Sequence, residues 1–419
     1  MQKVIGLDIG SYSLKAIEII NTFKSYEITN FYETVIPPLS EVPPDVILPI
    51  CMEQLFNENK LEADRIIAAM PGQFISSRIL SFNYSDPRKI ETSVQGELED
   101  AVPFNLDDMI IDHQILGASG KKTLTLAVMT RKAFLKNFLD LLGRVHIDPK
   151  LVDIDSLAFY NLNTYTDGVG DKSFAIIDIG HEKTSICIVQ NDLLRMFRSI
   201  NLGGRYITDF LARDLQVTFS EAQRIKHKMG RVLCSSEEQF ELSEEEKLIA
   251  ERVTLAANAI VKELGRTFYA YKNWDKDPIG KIFISGGTSK IRGLDHFLTQ
   301  HLEIPTVHLK LDRHDLKINP DVIKSIQVVP QSLAIGLRAV TNLRKHSQIN
   351  LRKGEFAYVQ NYENLLKGAS SIFKVITMAL SLLIISYLFK FYFYTKEISE
   401  LKEQYRKEFL SSFPDQKSK

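Results

Sequence analysis

Two short sequences in this chain join a carboxylate, a glycine and small polar groups at a spacing that suits phosphate chemistry. Asp8-Ile9-Gly10 ends one β-branched run, and Asp178-Ile179-Gly180 ends another, 170 residues later. Glycine at such a turn lets the backbone approach a phosphate closely and lets turn N–H groups point at it. The aspartates, Asp8 and Asp178, could hold Mg2+ through water, because Mg2+ dehydrates reluctantly. In the first copy Ser11, Tyr12 and Ser13 add donors and Lys15 adds a cation. A third glycine site, Ile284-Ser285-Gly286-Gly287-Thr288, follows another apolar run and suits passage beneath an adenosine. One Asp-x-Gly is an ordinary hairpin signal. Two in equivalent places, with a Gly-Gly after a third strand, form a nucleotide-site pattern.

Such residues need strands behind them, and the sequence supplies them in repeated order. Short β-branched runs at residues 3–9, 13–20 and 26–36 are separated by turn residues. A proline-rich loop around Pro37-Pro38 and Pro43-Pro44 follows, then helix-like residues 46–58 and a strand at 65–70. A polar helix from Asp86 stops at Pro103, strands return at 109–116 and 123–129, and 133–144 has helical spacing before a strand at 151–154. The three-strand opening then recurs at 173–179, 184–189 and 193–200. Helices dominate 208–271, broken by a solvated acidic stretch at 237–246; a strand at 281–285 and a helix at 331–343 follow. The expected fold class is α/β with a duplicated domain. Lobe I covers 1–165 with an inserted α+β piece at about 82–150, lobe II covers 166–345, and a linker covers 346–374.

Lys and Arg number 52 against 52 Asp and Glu, which excludes binding of nucleic acid or membrane by bulk charge. The 44% hydrophobic and 25% charged fractions exclude a disordered chain and a polytopic channel. Cys51, Cys187 and Cys234 lie far apart and form no zinc or disulfide pattern, which points to a reducing compartment for the bulk of the chain. Residues 375–394 differ in kind: they carry a single charge, Lys390, and are long enough to cross a bilayer core of about 30 Å. Lys390 can snorkel, and aromatic residues from Tyr387 to Tyr394 supply an interfacial belt. Basic residues flank this segment on both sides, so charge does not orient it. No signal peptide precedes the first strand, and a large cysteine-poor domain is expected in the cytoplasm with the tail outside. In that tail, residues 395–419, Ile398, Leu401 and Tyr405 fall on one helix face, a seam for a second copy or a membrane-anchored partner.

These motifs resemble the actin-like ATPase superfamily, and within it the PilM family of pilus assembly proteins. Gly6-Leu7-Asp8-Ile9-Gly10-Ser11-Tyr12-Ser13-Leu14-Lys15 resembles that family's first phosphate loop, and Asp178 to Thr184 its second. Ile284–288 is similar to the adenosine motif, Ala101-Val102-Pro103-Phe104 to the end of a Glu-rich segment, and Leu202-Gly203-Gly204-Arg205 to a Gly-Gly before a helix. Ala334-Ile335-Gly336-Leu337 is similar to the helix that connects the two lobes. The resemblance covers roughly residues 1–345. It implies an actin-like ATPase fold, with ATP and Mg2+ held by Asp8, Gly10, Ser11, Ser13, Lys15, Asp178, Gly180, Thr184, Gly203, Gly204, Gly286, Gly287 and Gly336.

A fused membrane segment departs from PilM and resembles GspL of type II secretion, an inner-membrane protein with one span. The resemblance implies an assembly-platform scaffold of a type II secretion system, with partners like GspM, GspE and GspF. A PilM-type pilus protein with partners like PilN and PilO is the alternative, as is an FtsA-like division protein. A homodimer is a further possibility. A superfamily kinase would need an aspartate base, for which Asp153 and Asp155 are the candidates. A second departure is His181-Glu182, whose carboxylate repels a triphosphate unless Mg2+ or Lys183 offsets it.

Overall fold

The computed structural model describes residues 1–22, 25–37, 42–119, 122–166, 172–234, 242–275, 277–311, 317–325, 327–340, 347–359 and 362–412. They divide into two units, residues 1–358 and 359–419. The ends of the helix expected at 331–343 and of the tail fall partly outside the described residues, as does the first half of the acidic stretch.

The first unit opens with β1 (Gln2–Ile9), β2 (Ser13–Asn21) and β3 (Tyr26–Val35), paired antiparallel in sequence. Helix α1 (Pro44–Glu58) crosses to β4 (Arg65–Met70), which lies parallel to β1. Next come β5 (Ser76–Phe82), α2 (Pro87–Ala101), β6 (Met109–Ser119) and β7 (Lys122–Arg131), forming a small separate sheet of order β5-β7-β6. Asp86 caps α2 by accepting from the Arg88 N–H, with Pro87 at the first helical position. Ile90, Val94 and Leu98, one turn apart, bury that helix against Leu80, Phe82 and Met129. Helix α3 (Lys132–Gly143) then returns to the first sheet, where Leu142 packs with Ile5, Leu7 and Leu55. The inserted piece therefore spans residues 76–131.

Strand β8 (Leu151–Ile154) lies parallel to β4 at one edge, and α4 (Asp155–Ala158) with a 3-10 turn (Phe159–Tyr165) leads into the second half. There β9 (Ser173–Ile179), β10 (Thr184–Gln190) and β11 (Leu193–Ile200) repeat the opening meander. Helices α5 (Gly204–Asp214), α6 (Phe219–Met229) and α7 (Glu244–Asp275) follow, then β12 (Ile279–Ser285), α8 (Leu294–Leu302) and β13 (Thr306–His308). The second sheet has the order β11-β10-β9-β12-β13. Its β9 is antiparallel to β10 and parallel to β12, as β1 is antiparallel to β2 and parallel to β4. The duplication is thus one of topology as well as of motif.

The chain then goes back to the first sheet. β14 (Lys317–Ile318) pairs with β3, and α9 (Pro320–Ile323) precedes α10 (Val329–Leu337), every residue of which is buried. α10 lies directly on β1: a Cβ on Gly6 would sit 2.4 Å from the Ser332 carbonyl and 2.5 Å from the Gly336 nitrogen. Only a pair of glycines permits that approach.

Residues 347–358, expected to belong to a free linker, are docked on this unit. Ile349 and Leu351 are fully buried among the core residues of the first sheet. The Leu351 N–H donates to the Val152 carbonyl (2.8 Å), and the Val152 N–H donates to Asn350 Oδ1 (3.2 Å). Asn350 and Gln348 donate backbone N–H groups to Asp112 Oδ2 (2.7 Å) and Gln114 Oε1 (2.9 Å) on β6. Arg352 pairs with Asp148 and Lys353 with Asp112, each at 2.5 Å. The strap covers the exposed edge of β8 and ties the small sheet to the large one. A buried Arg338 beneath it donates to the Ile349 carbonyl (3.1 Å) and faces Asp153 at 3.2 Å, close enough for an ion pair but outside hydrogen-bond angles.

The second unit is α11 (Tyr362–Ser412). It runs unbroken through the apolar segment, and among the described residues it is the one helix long and apolar enough to cross a membrane.

Candidate functional site

The two Asp-x-Gly turns are the bends of the hairpins β1–β2 and β9–β10. Register places Asp8 opposite Lys15, whose Nζ lies 3.1 Å from Asp8 Oδ2, and Asp178 opposite Ser185. Asp178 also lies beside Ser285 of β12, whose hydroxyl donates to its Oδ1 at 2.8 Å. The two turns face each other, with the Tyr12 ring of the first near the His181 ring of the second. Burial opposes the Lys15 charge, yet Asp8, Asp178 and Glu33 together hold its pKa above the usual value. Burial pushes Asp178 up to about 6, with Lys15 and the Ser285 hydroxyl only partly opposing it. A carboxylate so placed is short of positive charge.

The second hairpin turn is braced from two sides. The Gly180 carbonyl accepts from the Gly204 N–H (2.9 Å) and from Thr288 Oγ1 (2.7 Å), and the His181 carbonyl accepts from the Arg205 N–H (2.7 Å). Lys226 of α6 reaches under α5 to donate to the Gly204 carbonyl (2.8 Å) and Thr208 Oγ1 (2.7 Å). A Cβ on Gly204 would sit 2.3 Å from Thr288 Oγ1. Gly286 has φ of +91°, a region other residues rarely adopt, and lies against the Ile179 carbonyl. These glycines therefore join the turn after β9, the start of α5 and the turn after β12 into one floor. At Gly287 a Cβ would meet nothing.

Aromatic rings close the other side. Tyr12 of the first turn lies 5.6 Å from the His181 ring of the second and 5.9 Å from His227 of α6. Burial, with Lys226, Arg205 and His227 adding to it, lowers His181 to about 4, so its ring is neutral at physiological pH. Glu182 is matched by Arg205 at 2.5 Å, which also lies over Phe219. Lys183, expected to offset Glu182, instead pairs with Asp155.

Asp155 begins α4 at the junction of the halves. Its Oδ1 accepts from the N–H groups of Gly72 (2.9 Å) and Ser156 (2.5 Å), and its Oδ2 takes the Lys183 ammonium. Asp153 is fully buried with Arg338 and Ser347. Both carboxylates that could have served as a kinase base are occupied by the fold's own donors.

With this geometry in view, comparison with known proteins is decisive on family. The model of the family described as type IV pilus assembly protein PilM matches residues 6–337. The chain belongs to the PilM family. A solved PilM-PilN type IV pilus biogenesis complex contains a similar fold, with TM-score 0.68 and 20% identity over 81% of this chain and 99% of that one. Cell division protein FtsA of Staphylococcus epidermidis is 27% identical over 109 residues, 26% of this chain and 23% of that protein. FtsA of Bacillus subtilis is 38% identical over 72 residues, 16% of each. The chain thus matches less than a quarter of the length of these curated relatives.

In this PilM-family chain the structure gathers Asp8, Gly10, Lys15, Asp178, Gly180, Gly203, Gly204 and Gly286 around one cleft. Ser11 is exposed on its rim. The Ser13 hydroxyl is taken by Glu33 (2.6 Å) and that of Thr184 by the Leu202 carbonyl (2.7 Å), so both brace their turns. Gly336 lies elsewhere, packed between Gly6, Ile17 and Ile19. His181 stood out in the sequence only as a bulky residue of the second turn, and Lys226 and His227 not at all. Lone basic residues on a helix carry no spacing signal, and only the fold shows that they approach that turn.

Proposed function

We propose that this chain is a membrane-anchored assembly-platform component of a type IV pilus or the related type II secretion machine. In this reading its actin-like body holds Mg-ATP and couples cytoplasmic components to the envelope complex. The observation that carries it is the PilM-family match across the body, followed in the same chain by a helix able to cross a membrane. The family favours the pilus variant; the attached helix favours the GspL-like secretion variant. The body faces the cytoplasm and the tail the periplasm.

The residues of the cleft fit the nucleotide. Turns at Gly10 and Gly180 would present N–H groups to phosphates, Lys15 would supply positive charge, and Gly286-Gly287 would pass under the adenosine. Asp8 and Asp178 would hold Mg2+ through water, and the elevated Asp178 is the group that gains most from a cation. Mg2+ would neutralise phosphate charge. Tyr12 and His181 would touch whatever lies between the turns, making lobe closure sensitive to occupancy. With Asp153 and Asp155 both committed, turnover is expected to be slow or absent.

Affinity purification of the full chain from native membranes tests the platform role. Recovery of PilN- and PilO-like proteins supports the pilus variant, and GspM-, GspE- or GspF-like proteins the secretion variant; neither set overturns the reading. Thermal unfolding with and without millimolar Mg-ATP tests the cleft: binding to the folded state alone must raise the midpoint.

A further inference from the structure

α11 carries a second pattern that begins in the last turn of its apolar segment and runs past it. Phe391, Tyr394, Ile398, Leu401 and Tyr405 recur at alternating spacings of three and four, the a and d positions of a heptad, and all are exposed. The charges around this stripe are sorted. Lys396 pairs with Glu400 (4.0 Å) and Glu403 with Lys407 (3.5 Å), both on the outer face of the helix. Between Phe391 and Tyr405 the charges that border the stripe are Glu397, at a g position, and Lys402, at the next e position; Lys390, also at g, lies one residue before it.

In a parallel two-stranded coiled coil, g of one helix meets the following e of its partner. Two copies of this helix in register therefore set Glu397 of each against Lys402 of the other. In an antiparallel pair g meets g and e meets e, so Glu397 and Lys402 would not meet; the Glu–Lys contact therefore suits the parallel arrangement. That is also the arrangement imposed on two copies of a chain that enter a bilayer the same way.

We propose that residues 391–405 pair with the same residues of a second copy, forming a parallel, in-register coiled coil at the membrane exit. The seam is short, and helices under about 12–15 residues are marginal alone in water. Here the helix is already formed upstream, and confinement to a membrane raises the effective concentration of the second copy. The proposal rests on the reading of residues 375–394 as a membrane span.

Single cysteines at Leu401→Cys and Glu403→Cys in the full chain, oxidised in native membranes beside the unsubstituted chain, test it. The expected result is a product of twice the 47.8 kDa chain mass, formed roughly fivefold or more better at 401, on the seam, than at 403, outside it. In the Leu401→Cys background, Glu397→Lys or Lys402→Glu alone should lower the yield by about threefold to tenfold, and the two together should restore it. Equal yields at 401 and 403, a product of another mass, or no rescue by the double swap overturns the self-pairing. Alkaline carbonate extraction of the same membranes separates the premises. A retained chain that fails to cross-link sinks the coiled coil alone, whereas a chain released by carbonate overturns both.

Discussion

Asp178 has a folded-state pKa near 6 against 3.8 for an unperturbed aspartate, because burial penalises its charge. Between those values the folded state holds the proton more tightly than the unfolded one, so stability falls as pH rises from about 4 to 6. Above pH 6 the full cost, on the order of 2–3 kcal/mol, is present. Asp178→Asn should therefore stabilise the nucleotide-free protein at pH 7 by about that amount, with the advantage shrinking at pH 5. Denaturant titrations of both chains at the two pH values check this, and a gain over the unsubstituted chain no larger at pH 7 than at pH 5 would refute it. The same variant should lose the Mg-ATP stabilisation. Arg205 offers a second test: Arg205→Ala leaves Glu182 uncompensated beside the second turn, and Mg-ATP affinity should drop about twofold to tenfold. Adding Glu182→Gln should bring it back. A drop without rescue would mean that Arg205 acts through its position over Phe219 instead.

At the scale of elements, the junction of α10 with β1 is the most demanding contact in the body. Its close approach is backbone to backbone, so no side-chain rotation can relieve an added methyl group. Gly6→Ala is expected to lower stability by about 2–4 kcal/mol, read by thermal unfolding, with no selective loss of the Mg-ATP response among the molecules still folded. Much of the architecture was legible beforehand, because β-branched runs and turn residues repeat 170 residues apart and the hairpin turns coincide with Asp-x-Gly. The meaning of individual glycines was not. Sequence cannot distinguish a glycine that admits a ligand from one that admits another strand, and Gly336 belongs to the second kind. The strap was also hidden. Gln348, Asn350, Arg352 and Lys353 have a linker's composition, and their partners Asp112, Gln114, Asp148 and Val152 lie some 200 residues earlier. Lys183 was legible as a cation near the cleft, but its choice of Asp155 over Glu182 follows only from where α4 begins.

For the whole molecule, the membrane reading has a direct test: reporters fused after Ser370 and after Lys419 should lie on opposite sides of the bilayer. Two reporters on one side would exclude a single crossing. The strap has a further consequence, which is mechanical. Tension drawn along α11 reaches the actin-like body through residues 347–358, and travelling inward it meets the ionic contacts of Lys353 and Arg352 before the buried Leu351 and Ile349. Those twelve residues have a contour of about 40 Å at ~3.3–3.6 Å per residue, the upper limit on the length their detachment releases. A full chain stretched between its ends should therefore yield an early extension step below that size, at a force lowered by high salt, before the body ruptures. Leu351→Asp should remove the step while leaving the later rupture in place. The connection would then act as a mechanical fuse, giving way under tension at a load the actin-like body survives.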